Sequence, residues 1–312
     1  MNKIHPNRFY LEDYRKKHHR YAREGFGRGL FRVRTWSSVI EFILMVTGLE
    51  HRGLANAMNI RINETAVELD NLPDAFRNSR ILFISDFHIE LMANIVDKII
   101  ELIKNLEYDY CILGGDYSMF DILDMNKTKA GMKKIVEHLK PGRTYGIIGN
   151  HDYYEIAVFL ESLGVTMLIN ENTAIEQNET TIYLAGVDDC YIFDAADIGR
   201  ASAGIPMGAF KILLSHSPQI YKSAQKCGFN LLLSGHTHGG QICLPGGLPL
   251  FKSAKVPGKI AKGLWQYKTL IGFTSTGVGC CNVAARFASR PEIVILTLKT
   301  KKSEQTRPGG QV

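Results

Sequence analysis

Residues 80–88 read RILFISDFH, an apolar run that breaks at its carboxyl end into a carboxylate and an imidazole. Too short for an ordinary helix and apolar at successive positions, the run reads as a strand buried on both faces, as in the parallel interior of an α/β sheet. The pattern recurs. YCILGGD (110–116), TYGIIGNHD (144–152), FKILLSH (210–216) and FNLLLSGHTH (229–238) each carry an apolar run into Asp, Asn or His. Further strands are expected at TIYLAGV (181–187), TLIGFTS (269–275) and EIVILTL (292–298), with helical spacing over 92–106 and 128–139. Alternating strands and helices predict an α/β fold, and this many strands predict two sheets. The texture changes near residue 60, so residues 59–299 are expected as one domain. Residues 1–58 are then a basic, aromatic arm with a short apolar helix, and 300–312 a disordered tail.

In open α/β sheets ligands bind at the carboxyl ends of strands, so these polar endings are expected to converge on one site. In an extended chain side chains two apart share a face, which lets Asp86 with His88, and His236 with His238, reach one centre each. Imidazole mixed with carboxylate suits zinc, iron or manganese, whereas magnesium favours oxygen and structural zinc favours thiolate. The candidates exceed one coordination sphere. Two ions roughly 3.5 to 4 Å apart, bridged by a carboxylate such as Asp116, fit the set better. A single D-x-H or G-D would carry little weight; the ordered set does.

Of the 312 residues 45% are hydrophobic and 22% charged, which excludes a disordered chain. The net charge of +6 is local: residues 1–35 hold ten Lys/Arg against three Asp/Glu, or +7, so the remainder carries −1. That argues against a nucleic-acid-binding channel in the main domain. Six cysteines (Cys111, Cys190, Cys227, Cys243, Cys280, Cys281) lack the spacing of a disulfide framework or zinc knuckle. They are read as reduced thiols of a cytoplasmic protein and given no function. No cleavable leader is expected, because charged and aromatic residues precede the first hydrophobic run. That run, Val39 to Leu49, contains Glu41 and falls short of the roughly 20 residues that span a bilayer. Before it stand Arg15, Lys16, Lys17, Arg20, Arg23, Arg28, Arg32 and Arg34, interleaved with Tyr10, Tyr14, Tyr21, Phe26, Phe31 and Trp36. Peripheral contact with the anionic inner face of a membrane and packing on the main domain fit this pattern equally.

In this order, SDFH, GGDY, GNHD, SHSP and GHTHGGQ resemble the motifs of the calcineurin-like metallophosphoesterase superfamily, over residues 80 to 299. The later segments GGQICLP (from Gly239) and RPEIVILTL (from Arg290) resemble bacterial branches that include cell-envelope phosphoesterases. The resemblance implies a four-layer αββα sandwich of two mixed β-sheets flanked by helices. It also implies one ion held by Asp86, His88 and His238, a second by Asn150, His216 and His236, and Asp116 between them. His151 matches the catalytic histidine that contacts phosphate and serves the leaving oxygen, with Asp152 orienting it. The cofactors implied are two divalent transition-metal ions, Mn2+ first and Zn2+ or Fe2+ as alternatives, with a bridging hydroxide as nucleophile. No Ser or Cys nucleophile is expected. One departure stands out: many members place an acidic residue or an Arg where this chain has Met119 and Phe120, which removes a possible phosphate contact.

Substrate choice is expected to lie in residues Pro245 to Lys268, which hold five lysines and no acids beside Leu248, Leu250, Phe251, Ile260, Leu264 and Trp265. Such a loop suits an amphiphilic phosphate, and a solvated hairpin with ordinary lysines is the plain alternative. With the basic arm it is similar to the UDP-2,3-diacylglucosamine pyrophosphatases of lipid A synthesis, enzymes that cleave a lipid-linked pyrophosphate. A phosphodiesterase of small nucleotides or envelope phosphodiesters is the alternative. A non-catalytic scaffold is disfavoured because every ligand position is filled. No protein partner is expected.

Overall fold

The computed structural model describes residues 4–17, 27–119, 125–250 and 253–301. Helices α1 (Pro6–Lys17), α2 (Gly27–Val46) and α3 (Glu50–Met58) lead into β1 (Arg61–Leu69) and β2 (Arg80–Ile84). There follow α4 (Ile95–Ile103), β3 (Tyr110–Leu113), α5 (Asn126–Val136), β4 (Thr144–Gly146), α6 (Tyr154–Ser162) and β5 (Thr166–Met167). The second half runs β6 (Glu171–Gln177), β7 (Thr180–Gly186), α7 (Ile198–Ala201), β8 (Lys211–Leu214), α8 (Tyr221–Lys226) and β9 (Leu231–Ser234). It closes with β10 (Gly263–Tyr267), β11 (Leu270–Thr274) and β12 (Glu292–Thr300). Expectations placed on Tyr21, Phe26, Arg20, Arg23, Phe120, Phe251 and residues 302–312 lie outside the described residues, as do the side chains of 15–17 and 27–35.

Two mixed six-stranded sheets result, β1-β12-β2-β3-β4-β5 and β10-β11-β9-β8-β7-β6. Within the first, β2, β3, β4 and β5 run parallel; within the second, β7, β8, β9 and β11 do. The period-2 alternation of strand side chains explains why these runs are apolar throughout. Ile81, Phe83, Ile112 and Tyr145 point inward to meet Leu184, Ile212, Leu214, Leu231 and Leu233 of the other sheet. Their neighbours Leu82, Ile84, Cys111 and Leu113 point outward, onto Ile95, Ile99 and Ile103 of α4 and Met132 and Ile135 of α5. Ala185, Leu213 and Leu232 do the same on the far side, against Tyr221 and Ala224 of α8. Each such buried aliphatic side chain contributes about 1.5–3 kcal/mol of transfer free energy, so both faces of both sheets hold the layers together.

The N-terminal helices are part of this packing. Ala57 of α3 joins the outer core of the first sheet. Ile40 and Leu44 of α2, one turn apart, pack with Val283, Ala285 and Phe287. The rest of that apolar run stays outside: Phe42, Met45 and Val46 are 59%, 58% and 60% exposed. Among the described residues no helix is long and apolar enough to cross a membrane. The segment Pro245–Lys268 divides similarly. Ile260 and Trp265 are buried in the outer core of the second sheet, where the Trp265 indole donates to Thr274 Oγ1 at 2.9 Å, while Leu248, Leu250 and Leu264 are exposed.

Candidate dinuclear metal centre

All the sequence-predicted site residues follow carboxyl ends of parallel strands. Asp86 and His88 come after β2, Asp116 after β3, Asn150, His151 and Asp152 after β4, His216 after β8, and His236 and His238 after β9. They meet where the two sheets face each other. The pleat does not align them, however, because β2 ends at Ile84 and β9 at Ser234. Beyond those ends the backbone turns left-handed, with φ of 58° at Asp86, 41° at His88, 56° at Asp116, 68° at His236 and 49° at His238. Each such non-glycine residue costs about 1–3 kcal/mol, so five around one point mark a site that its surroundings over-determine. The loops are knitted together accordingly: Asp86 N–H donates to Gly115 O (2.9 Å), His88 N–H to Asp116 O (3.1 Å) and His236 N–H to Asp86 Oδ1 (3.0 Å). Two glycines make the approach possible. A Cβ on Gly149 would lie 2.1 Å from Asp116 Oδ1, and one on Gly235 would lie 2.4 Å from Asp86 Oδ2.

Hydrogen bonds fix which imidazole nitrogen faces the site. His88 Nδ1 donates to Ser118 O (2.9 Å), His216 Nδ1 to Gly114 O (2.8 Å) and His236 Nε2 to Ser253 O (3.2 Å). Carbonyls only accept, so the ring nitrogens left facing the site are His88 Nε2, His216 Nε2 and His236 Nδ1. One donor atom from each of Asp116, His216 and His236 lies within 4.8 Å of the others, and the same holds for Asp86, His88 and Asp116. Asp116 belongs to both groups. Its Oδ2 lies 3.0 Å from His216 Nε2 and 3.6 Å from His88 Nε2, while Asp86 Oδ1 lies 3.3 Å from His238 Nε2. His216 Nε2 nevertheless has no aligned hydrogen-bond partner, and buried Asn150 Oδ1 has none either. Buried donor atoms without partners, converging on a common point beside two carboxylates, are what cations require, so the residues present fit two divalent ions.

Electrostatics separates the histidines. Burial alone would lower His216, but Asp116, and after it Asp86, raise it to about 10; burial alone would raise Asp116, but His216, with His151 and His88, holds it well below the usual carboxylate range. Burial lowers His151 to about 3 and holds His238 well below the imidazole range, with His88 and then Arg286 adding to the latter. His216 therefore carries the proton that a metal must displace. In the metal-free protein its raised pKa gives stability that is full below the unfolded value of about 6.5 and lost as pH rises through about 10. Metal affinity runs the other way and is expected to rise about tenfold per pH unit below that value, with release of a proton on binding. Chelator-competition titrations across pH check this; a flat profile would contradict it.

His151 places its imidazole edge-on to His88, ring centroids 5.0 Å apart, and its backbone N–H donates to Asp116 Oδ1 at 2.9 Å. Asp152 departs from its expected role. Its carboxylate accepts from the backbone N–H groups of Asp116 (2.7 Å), Gly149 (2.8 Å), Tyr117 (2.9 Å) and Ser118 (3.3 Å). It thus orients the two loops that carry Asp116 and His151, not the imidazole.

Three contributors stood outside the sequence reading. Arg8 of α1 is fully buried against the His151 loop: its Nε donates to Asp188 (2.7 and 2.9 Å), Nη1 to Asp152 O (2.8 Å) and Nη2 to Gly149 O (3.3 Å). Glu12, paired with Arg8 at 3.1 Å, accepts from Tyr154 N–H at 2.9 Å. The second is Tyr191, whose ring stands 4.5 Å from that of His236. The third is Cys281, whose Sγ lies 3.6 Å from His151 Nε2. A buried Arg in a basic arm gives no sequence signal; Cys281 gave a faint one, by following the parallel strand β11 as the ligands follow theirs.

Comparison with known proteins agrees with this geometry. The family model described as calcineurin-like phosphoesterase matches residues 79–240. The chain is 30% identical over 264 residues to the uncharacterized metallophosphoesterase YkoQ of Bacillus subtilis, covering 80% of this chain and 95% of that one. It is 28% identical over 229 residues to the phosphodiesterase YaeI of Escherichia coli, covering 70% of this chain and 82% of that one. A zebrafish transmembrane protein with a metallophosphoesterase domain is 27% identical over 300 residues, 90% of this chain; the chain spans 66% of that protein's length. A family match over more than half the chain, centred on loops that gather imidazoles and carboxylates around a shared Asp116, leads to one conclusion: the chain belongs to the calcineurin-like metallophosphoesterases, hydrolases of phosphoester bonds.

Proposed function

We propose that this protein is a two-metal phosphodiesterase or pyrophosphatase acting on an amphiphilic, membrane-presented phosphate. The observation that carries the two-metal reading is Asp116, common to two ligand groups drawn from both sheets. Ions bound there supply Lewis acidity toward phosphoryl oxygens and acidify water; their identity is open among manganese, zinc and iron. The chain's own residues do the rest. Asp86, His88 and His238 would hold one ion, Asn150, His216 and His236 the other. His151, kept neutral by burial, offers a hydrogen bond to the phosphoryl or leaving oxygen. Its replacement, His151→Ala, is expected to lower kcat by roughly 10²- to 10⁴-fold with bound metal unchanged, measured by steady-state kinetics beside elemental analysis.

Two exposed apolar surfaces favour a lipid-linked substrate. Phe287, which packs against α2, also pairs its backbone with Ile242 and accepts from Cys243 N–H, where the hairpin bearing Leu248 and Leu250 begins. That hairpin leads to Ser253, the partner of His236. The apolar residues and the lysines of 245–268 would meet acyl chains and anionic headgroups beside the site, with the arm's cations adding to the membrane contact. Manganese-dependent hydrolysis of UDP-2,3-diacylglucosamine in mixed micelles, beside an aryl phosphodiester, tests this reading. Preference for the lipid supports it. Turnover of the aryl ester alone favours the second reading, a phosphodiesterase of small nucleotides or envelope phosphodiesters, consistent with the name borne by YaeI.

A further inference from the structure

The geometry points to Cys281 as an additional, sulfur ligand of the metal position formed by Asp86, His88 and His238. This rests on the metal-dependent reading above and sharpens it. Donor atoms of His88, His238 and Cys281 lie within 4.8 Å of one another. The two imidazole Nε2 atoms are 3.3 Å apart, in hydrogen-bond contact in the metal-free chain and at a separation that two nitrogens on one ion can span with bonds of about 2.0 Å, the usual zinc–nitrogen distance. Cys281 occupies a third direction around that point.

The thiol is held there by a residue whose purpose is otherwise unexplained. Gln241 ends the GHTHGGQ motif and clamps the Cys281 peptide on both sides: its Oε1 accepts from Cys281 N–H at 2.8 Å, and its Nε2 donates to Cys281 O at 3.0 Å and Val283 O at 2.9 Å. Gln241 itself follows directly on the loop that carries His236 and His238, so ligand loop and thiol move as one body. Asn282 Nδ2 donates to the sulfur at 3.1 Å, a contact that suits a thiolate acceptor. On metal binding the thiol gives its proton to solvent and its sulfur lone pair to the ion. The consequence is asymmetry. A soft donor on one side favours zinc or iron over manganese there, whereas the Asn150, His216 and His236 position has only nitrogen and oxygen donors.

Cobalt(II) substitution of the full chain tests this without turnover. The wild-type protein is expected to show a near-ultraviolet sulfur-to-cobalt charge-transfer band that Cys281→Ser and Cys281→Ala both lack. Zinc affinity of Cys281→Ser should fall at least about tenfold, with manganese affinity changed less than about twofold. In the wild-type chain, zinc should block alkylation of Cys281 by iodoacetamide, read by peptide mass mapping, and chelation should restore it. Cobalt bound without a sulfur band, or a band that survives loss of Cys281, overturns the assignment and leaves the hydrolase reading standing. A chain that takes up no cobalt overturns both.

Discussion

Replacing Asp116 with alanine is expected to lower kcat/KM for phosphoester hydrolysis at least ~10³-fold, about 4 kcal/mol of transition-state stabilisation. The size follows from its double membership: Asp116 supplies a donor to both ligand groups, so one substitution weakens both positions together. It also leaves His216 without its nearest carboxylate, and His151 N–H without its acceptor. Elemental analysis should find fewer than two ions per chain. Full activity with two ions retained would remove Asp116 from the bridging position. Asp116→Asn separates charge from shape, because it keeps an oxygen and the His151 contact while deleting the negative charge. An effect nearly as large is expected from it.

Arg8→Met is the second large effect, and it strikes stability first. The guanidinium is fully buried, its Nη2 2.6 Å from Asp188, with Phe193 3.9 Å beneath it. Burial alone would lower its pKa, yet Asp188 outweighs that and raises it. Removing one member of such a pair leaves an uncompensated buried charge, a loss of about 3–5 kcal/mol when the site stays closed. Because α1 can undock and let water reach Asp188, the loss in global stability is expected at the lower end. The local signature is faster hydrogen exchange at Gly149 to Tyr154, where Arg8 and Glu12 hold the backbone. Arg8→Met with Asp188→Leu should recover part of the stability, since it removes the fully buried Asp188 charge and leaves only Glu12, which keeps its bond from Tyr154 N–H, without the guanidinium. If the single variant unfolds like wild type in urea, the clasp is ornamental.

The interior strands and the residues that gather at the site were legible in the sequence for one reason: both are set by local burial. A strand covered on both faces has to be apolar at every position, as RILFI is, and polar residues where it emerges stand out. The edge strands β1, RINETAVEL, and β6, ENTAIEQ, have one solvated face and read as ordinary surface chain, and β10 was hidden within a lysine-rich loop. The left-handed turns at the ligands carried no mark either, since Asp and His are not turn-specific. Arg8 was lost among the arm's charges because its partner lies 180 residues away. Cys281 was lost because adjacent cysteines in a Gly-rich segment invite no chemistry until the fold brings one of them to His88 and His238.

The ligand loops come from different layers: Asp86, His88, Asp116 and Asn150 issue from one sheet, His216, His236 and His238 from the other. Ions held among them would act as rivets through the sandwich, so that occupancy and cohesion between the layers would become one thermodynamic quantity. At a hundredfold excess over the dissociation constant a rivet adds about 2.7 kcal/mol to the folded state. Starving the protein of metal would then loosen the sandwich along its seam, beginning at the strand ends, so that catalytic competence and mechanical integrity would decline together.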